Sequence, residues 1–245
     1  MSMSKNMNTN NLTGDSKAII TNQSGIHEKL DEVVQKHLQH PFQKPYQAHT
    51  EQAFAEMNTF VQAFLAQNPK GEIILDACCG VGQSTRILAA QNPQALVIGV
   101  DKSAHRLRRN ISFDKVEGSS AENDYQADNY HLVRADLNDF YRLVKAANWT
   151  VAKHYILYPN PWPKSKHLQR RWHGSAVFPQ MTSIGKTLVL RSNWRLYLEE
   201  FQQAAKLVHL SGEITLVHTS AKPITPFEAK YQASGQVCWQ LMLER

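Results

Sequence analysis

With 245 residues, 42% of them hydrophobic, the chain can bury a sizeable core and suits one domain better than two. Lysine and arginine outnumber aspartate and glutamate by 27 to 21, a formal charge of +6 that favours polyanionic partners. Three cysteines, two of them adjacent at Cys78 and Cys79, and eleven scattered histidines exclude a disulfide framework and predict no metal site; a reducing, cytoplasmic compartment fits.

Residues 1–25 are rich in Asn, Ser and Thr and lack the apolar run of a signal peptide or membrane span, which predicts a disordered tail and no membrane association. A single domain is expected over 26–245. A polar helical segment near Ile26 to Leu38 precedes Pro41 and Pro45, and Phe54, Met57, Phe60, Val61, Phe64 and Leu65 then fall on one helical face. Asn68, Pro69 and Gly71 end that helix.

Ile73, Ile74 and Leu75 form an apolar run suited to a strand buried on both faces. From there helix and strand alternate: a helix around Ser84 to Gln91, a strand from Ala95 to Asp101, a helix around Ala104 to Ile111 and a strand from Tyr130 to Arg134. The polar stretch from Asp114 to Asn129 reads as a solvated excursion before that third strand. Further strands are expected at Tyr155 to Tyr158, Thr187 to Leu190, Ile214 to Val217 and Val237 to Leu243. Repeated βα units predict an α/β fold, doubly wound, with a mostly parallel seven-stranded sheet and helices on both faces.

The first strand runs into Asp76-Ala77-Cys78-Cys79-Gly80-Val81-Gly82, where Gly80 and Gly82 permit a tight turn and close approach of a ligand. Thr85 stands where a dinucleotide fingerprint has its third glycine and Cys78 replaces the first, which disfavours NAD. An acidic residue before Gly-x-Gly suits instead a ligand with a cationic amino-acid part, held by Asp76. Asp101, 19 residues after Gly82, is placed to accept from ribose hydroxyls, and Asp136 from an adenine amine. Any one of these aspartates also suits a helix cap; the row at consecutive strand ends favours a cofactor pocket.

After the fourth strand, Pro159-Asn160-Pro161-Trp162-Pro163 makes a stiff ledge, because its prolines fix φ and remove donors. Lys164, Lys166, His167, Arg170, Arg171, Trp172 and His173 follow, cations interleaved with rings able to stack on bases. A solvated basic loop is the plain alternative, and the basic residues around Lys102 and Arg109 read mostly as solvated surface. Trp149, Trp194 and Trp239, with Cys79 and Cys238, read as packing groups.

From Ile73 to Arg245 the chain resembles the bacterial tRNA (guanine-N7-)-methyltransferases. Their Phe-Pro-Asp-Pro-Trp and basic run is similar to Tyr158-Pro159-Asn160-Pro161-Trp162 and its tail, their Thr-Asp-Trp to Ser192-Asn193-Trp194, and their Thr-x-Phe-Glu to Thr225-Pro226-Phe227-Glu228. The resemblance implies a Rossmann-like class I methyltransferase fold that uses S-adenosylmethionine on tRNA as a monomer or weak homodimer. It assigns Asp76, Gly80, Gly82, Asp101, Asp136 and Asn160 to the cofactor pocket, with Asn160 catalytic. It assigns Lys164, Asn193, Thr225, Phe227 and Glu228 to the substrate side, while the basic run gives Lys166, Arg170 and Arg171 as RNA contacts. Asn160 and Asn193 replace family aspartates, and the segment between Trp172 and Leu188 is too short for a long helix. Alternatives are a methyltransferase of the same fold acting on another RNA position or a small substrate, and a catalytically silent RNA-binding relative.

Overall fold

The computed structural model describes residues 14–113 and 128–245. The sheet has seven strands, β1 (Glu72–Ala77), β2 (Ala95–Asp101), β3 (Tyr130–Arg134), β4 (Val151–Leu157), β5 (Thr187–Ser192), β6 (Ser211–Leu216) and β7 (Trp239–Glu244). Their order is β3-β2-β1-β4-β5-β7-β6, with β7 antiparallel to both neighbours and the other pairings parallel. The chain winds outward from β1 to β3 and then returns to lay β4 on the other side of β1. The strand order therefore reverses at β1 and β4, and the crevice that opens at such a point is where α/β sheets bind ligands.

β1 is sealed on both faces because its alternate residues serve two different cores. Ile73, Leu75 and Ala77 join the large core, which is packed by α1 (Leu30–Gln39), α2 (Ala48–Gln67), α5 (Leu137–Ala146), α6 (Phe178–Thr182) and α7 (Arg195–Lys206). Ile74 faces the opposite side, with Leu88 and Ala89 of α3 (Gln83–Gln91). Asp76 has the same parity as Ile74 and therefore points toward α3. The remaining helices are α4 (Ala104–Phe113) and α8 (Pro226–Ala233).

The third glycine of a dinucleotide fingerprint lets its helix pack closely on the sheet; here the space is vacated from the strand side. A Cβ at Gly99 on β2 would collide with Thr85 Oγ1 and lie 2.7 Å from a Leu132 methyl. Thr85 thus takes the helix position and Gly99 makes the room.

Most predicted elements are found within a few residues of their expected bounds. β4 starts four residues before the expected Tyr155, and only a short 3-10 turn (Trp172–Gly174) and the brief α6 fill the stretch expected to lack a long helix. Most of the Asp114 to Asn129 excursion, and residues 1–13 of the expected tail, lie outside the described residues.

Residues 14–25 of the expected tail are held by hydrogen bonds to distant parts of the chain. They cross the C-terminal edge of the sheet as an extended strap. At one end Gly14 N–H donates to Ala233 O at 3.0 Å and Ser16 N–H to Ser234 Oγ at 2.9 Å. At the other, Thr21 Oγ1 donates to Pro163 O at 2.6 Å and Asn22 Oδ1 accepts from Ser165 N–H at 3.0 Å. A polar composition forms no core of its own, yet such side chains can satisfy backbone groups that a proline-rich ledge leaves unpaired.

Because the Gly99 contact is with the sheet-packed helix, Gly99→Ala should destabilise the chain by about 1–3 kcal/mol, the usual cost of overpacking. Urea titration checks this, and an unchanged midpoint would contradict the close packing described.

Candidate cofactor and substrate site

The loop after β1 turns through three left-handed residues, Cys78 (φ 61°), Gly80 (φ 62°) and Gly82 (φ 76°). Glycine takes this conformation freely, whereas at Cys78 it costs about 1–2 kcal/mol, so the departure from a glycine leaves the turn intact but strained. Desolvation pushes the Cys78 thiol up to about 12, which makes it a packing group rather than a nucleophile. A Cβ built at Gly80 meets no described atom within 4 Å, so the loop faces open space there.

Two carboxylates frame this loop. Asp101 accepts from Gly80 N–H at 3.1 Å and from Ser103 N–H at 2.8 Å, and Arg106 Nη1 lies 3.6 Å from it. Asp76 is fully buried. Its Oδ2 accepts from Ser84 and Thr85 hydroxyls, each at 2.7 Å, while Oδ1 has no partner among the described residues. Burial pushes the Asp76 carboxyl up to about 6; the two hydroxyls oppose that rise and the Asp101 charge adds to it.

The ledge leaves β4 through Tyr158 (φ 51°) and turns again at Trp162 (φ 45°). Asn160 Oδ1 accepts from Trp162 N–H at 3.3 Å, a turn in which an aspartate would serve equally. Tyr158 stands where the family motif has Phe, and its hydroxyl donates to Glu228 Oε2 at 2.9 Å. Arg191 Nη1 pairs with the same oxygen at 3.0 Å, so the ledge is tied to α8 through Glu228.

Beneath the basic run lies a buried ionic node. Arg171 and Glu200, both fully buried, form an ion pair, and His173 Nε2 is 2.9 Å from the same carboxylate oxygen. The other Glu200 oxygen accepts from Gln23 Nε2 at 2.5 Å and from His27 N–H at 3.0 Å, and Gln23 Oε1 accepts from Arg171 Nη2 at 3.0 Å. Burial alone would raise the Glu200 carboxyl, but His173, Arg171 and Gln23 together hold it down at about 2. Nothing in the motifs marks Glu200 or Gln23.

The predicted residues therefore divide. Asp76, Gly80, Gly82 and Asp101 gather around the glycine loop, and Asn160 follows the end of β4, which lies beside β1. Asp136 stands two residues beyond β3 and caps α5, its Oδ1 accepting from Asn138 N–H at 2.9 Å. Arg171 is fully buried and paired with Glu200, whereas Lys164, Lys166 and Arg170 are exposed. Arg170 lies over the Trp162 ring at 4.7 Å. Thr225 caps α8 by accepting from Glu228 N–H at 2.9 Å. Glu228 is fully buried and engaged by Tyr158 and Arg191, leaving half-exposed Phe227 as the accessible one of the three predicted residues there. Asn193 Nδ2 donates to Gln236 Oε1 at 2.8 Å, and Gln236 Nε2 donates to Ser16 O in the strap at 2.8 Å.

The strand order, with an antiparallel β7 lying between β5 and β6, and the glycine loop at the reversal point define the Rossmann-like fold of class I S-adenosylmethionine-dependent methyltransferases. Residues 70–241 match the model of the family described as "Putative methyltransferase", and the chain belongs to that family. It is similar to the tRNA (guanine-N(7)-)-methyltransferase of Treponema pallidum, 25% identical over 198 residues and 73% of each chain. It is 23% identical over 184 residues to that of Shewanella baltica, covering 72% of this chain and 74% of the other. Among solved structures, a point mutant of the 16S rRNA (adenine(1408)-N(1))-methyltransferase from Catenulisporales acidiphilia, crystallised with its cosubstrate, shares the fold at TM-score 0.53 and 17% identity, over 75% of this chain and 90% of that one. The antibiotic-resistance methyltransferase Kmr does so at TM-score 0.51 and 15% identity, over 76% and 92%.

The Asp76 carboxyl titrates near 6 in the fold against 3.8 ordinarily, so folding takes up a proton between these values. Stability accordingly falls as pH rises across that window, by about 3 kcal/mol in total. Asp76→Asn should flatten this dependence and leave the variant more stable than the parent at pH 7.5 but not at pH 3.5, as measured by urea unfolding. A variant less stable than the parent at pH 7.5 would contradict the buried charge. Glu200→Gln strands the Arg171 charge and should cost about 3–5 kcal/mol in the same assay at pH 7.5. A loss below about 1 kcal/mol would show the node to be solvent-relaxed.

Proposed function

We propose that the chain transfers the methyl group of S-adenosylmethionine to N7 of a guanine in tRNA. The observation that carries this reading is the ledge from Tyr158 to Lys164, fixed at both ends beside the glycine loop and continuing into exposed cations. The similarity to tRNA (guanine-N(7)-)-methyltransferases supports it.

The residues at the loop fit the cofactor. The partnerless Asp76 Oδ1 is an unmet acceptor suited to an ammonium, Asp101 retains acceptor capacity for ribose hydroxyls, and the space above Gly80 is open. When bound, S-adenosylmethionine supplies an electrophilic methyl whose carbon–sulfur bond breaks as the bond to guanine N7 forms, leaving the positive charge on the purine. Because N7 carries a free lone pair, no side chain has to remove a proton, and the chain contributes position and charge stabilisation.

Asn160 stands on the ledge where the family has a carboxylate. A neutral amide stabilises a cationic purine less than a carboxylate does, typically by a few kcal/mol, which implies a slow enzyme. The amide at 160 favours one second reading, methyl transfer to another RNA atom, because an amide offers a donor as well as an acceptor to a base edge.

Asn160→Asp preserves the turn with Trp162 and should raise kcat on unmodified tRNA at least about tenfold. Tritium transfer followed by nucleoside mass spectrometry reads both the rate and the methylated atom. N7-methylguanine from both proteins, faster from the variant, supports the proposal; label in another nucleoside selects the second reading. No transfer by either protein overturns both.

A further inference from the structure

Between the start of α1 and the 3-10 helix of the basic run (Ser165–Arg170) lies a cleft of about 510 Å³ whose walls include His27, Lys29, Ser165, Lys166, Gln169 and Arg170. We propose that this cleft binds the sugar–phosphate backbone of the RNA flanking the methylated nucleotide, with Lys29 supplying a phosphate contact from a wall outside the basic run. The inference rests on the reading of the chain as an RNA methyltransferase and adds to it a second binding element.

Charge is the first argument. Lys29 converges with Lys166 and Arg170 on one cleft from a segment more than a hundred residues away, and no carboxylate among the described residues lines it. The N-terminus of α1, where Lys29 is the cap residue, adds the positive end of its dipole. Three cations facing one cavity repel one another unless an anion lies between them, and a track of successive phosphates meets all three.

The second argument is that both walls are fixed by one group. Glu200 receives His27 N–H from the α1 side at 3.0 Å and pairs with Arg171, the neighbour of Arg170, from the other. The strap adds Asn22 Oδ1 on Ser165 N–H at 3.0 Å. A buried ion pair of this kind is a weak source of stability compared with apolar packing, but it sets the cleft width before any ligand arrives, and a preorganised site avoids ordering cost on binding.

Position supplies the third argument. The cleft meets the ledge at Arg170, whose guanidinium covers the Trp162 ring at 4.7 Å. A strand whose target base enters beside Asn160 therefore has its neighbouring phosphates directed toward Lys166 and Lys29.

The test is fluorescence anisotropy of labelled, unmodified tRNA transcript against the full chain across a salt series, for wild type, Lys29→Ala, Lys29→Glu and Lys166→Ala. Lys29 is exposed, so the variants should keep the parental unfolding midpoint, and calorimetry should give unchanged S-adenosylmethionine affinity. The expected result is about tenfold weaker RNA binding for Lys29→Glu near 0.1 M salt and a log–log salt slope shallower by about one unit for Lys29→Ala. If wild type binds tRNA and Lys29→Glu binds it equally well with the same slope, the cleft proposal is overturned while the tRNA reading stands. If wild type ignores tRNA but binds a 16S rRNA fragment in a Lys29-dependent manner, the cleft stands and the tRNA reading fails. Wild type that binds neither RNA overturns both.

Discussion

The substrate side of this molecule is organised by the Glu200 carboxylate. It faces inward from α7 between Tyr197 and Ala204, positions that otherwise feed the apolar core, and it collects donors from three separate stretches of chain. Arg171 and His173 come from the basic run, Gln23 from the strap and His27 from the entrance to α1. Each of these segments is short, and their apolar anchoring is confined to a few residues such as Leu168 and Trp172. The common charge adds a directional constraint to that packing, because hydrophobic burial alone is not directional. One well-satisfied ion pair supplies direction where packing cannot, which is the use of buried charge that best offsets its desolvation cost.

The cofactor side works by the opposite device, an unsatisfied carboxylate. Reversal of strand order at β1 and β4 brings the end of β1 to the centre of the sheet edge, where Asp76 lies against α3. Ser84 and Thr85 saturate one of its oxygens and leave the other without a partner among the described residues. Burial resists ionisation there, and the nearby Asp101 resists it further. On the proposed reading, the ammonium of S-adenosylmethionine relieves both at once, and the energy withheld from the fold goes to binding. Asp101, by contrast, holds the glycine loop through Gly80 N–H, and the two carboxylates thereby take separate tasks.

Much of this was legible in the sequence because buried parallel strands announce themselves as continuous apolar runs, as at Ile73 to Leu75 and Ala95 to Val100. The glycine loop and ledge were legible because their backbone demands particular residues. Glu200 was not, since it belongs to no motif; the one available signal was a glutamate on the same helical face as Tyr197, Phe201 and Ala204. Arg170 and Arg171 are adjacent and chemically identical, and only the tertiary partner Glu200 decides that one is exposed and the other buried. The contacts of the strap were not legible for a related reason. Its polar composition does exclude a core of its own, but Thr21, Asn22 and Gln23 are ordered by backbone groups and charges contributed by distant residues.

The two asparagines that depart from the family pattern are not equivalent. Asn160 uses only its carbonyl oxygen, toward Trp162 N–H, and an aspartate would make the same contact. Asn193 uses its amide N–H, donating to Gln236 Oε1, while Gln236 Nε2 donates to the Ser16 carbonyl of the strap. An aspartate at 193 could accept from Gln236 only if that amide turned over. The turn would then aim the Gln236 oxygen at the Ser16 carbonyl, setting two acceptors against each other. The amide at 193 is thus coupled through Gln236 to an ordered N-terminal strap, whereas the amide at 160 is free of any such coupling, so the chemistry of the ledge can vary without disturbing the architecture around it.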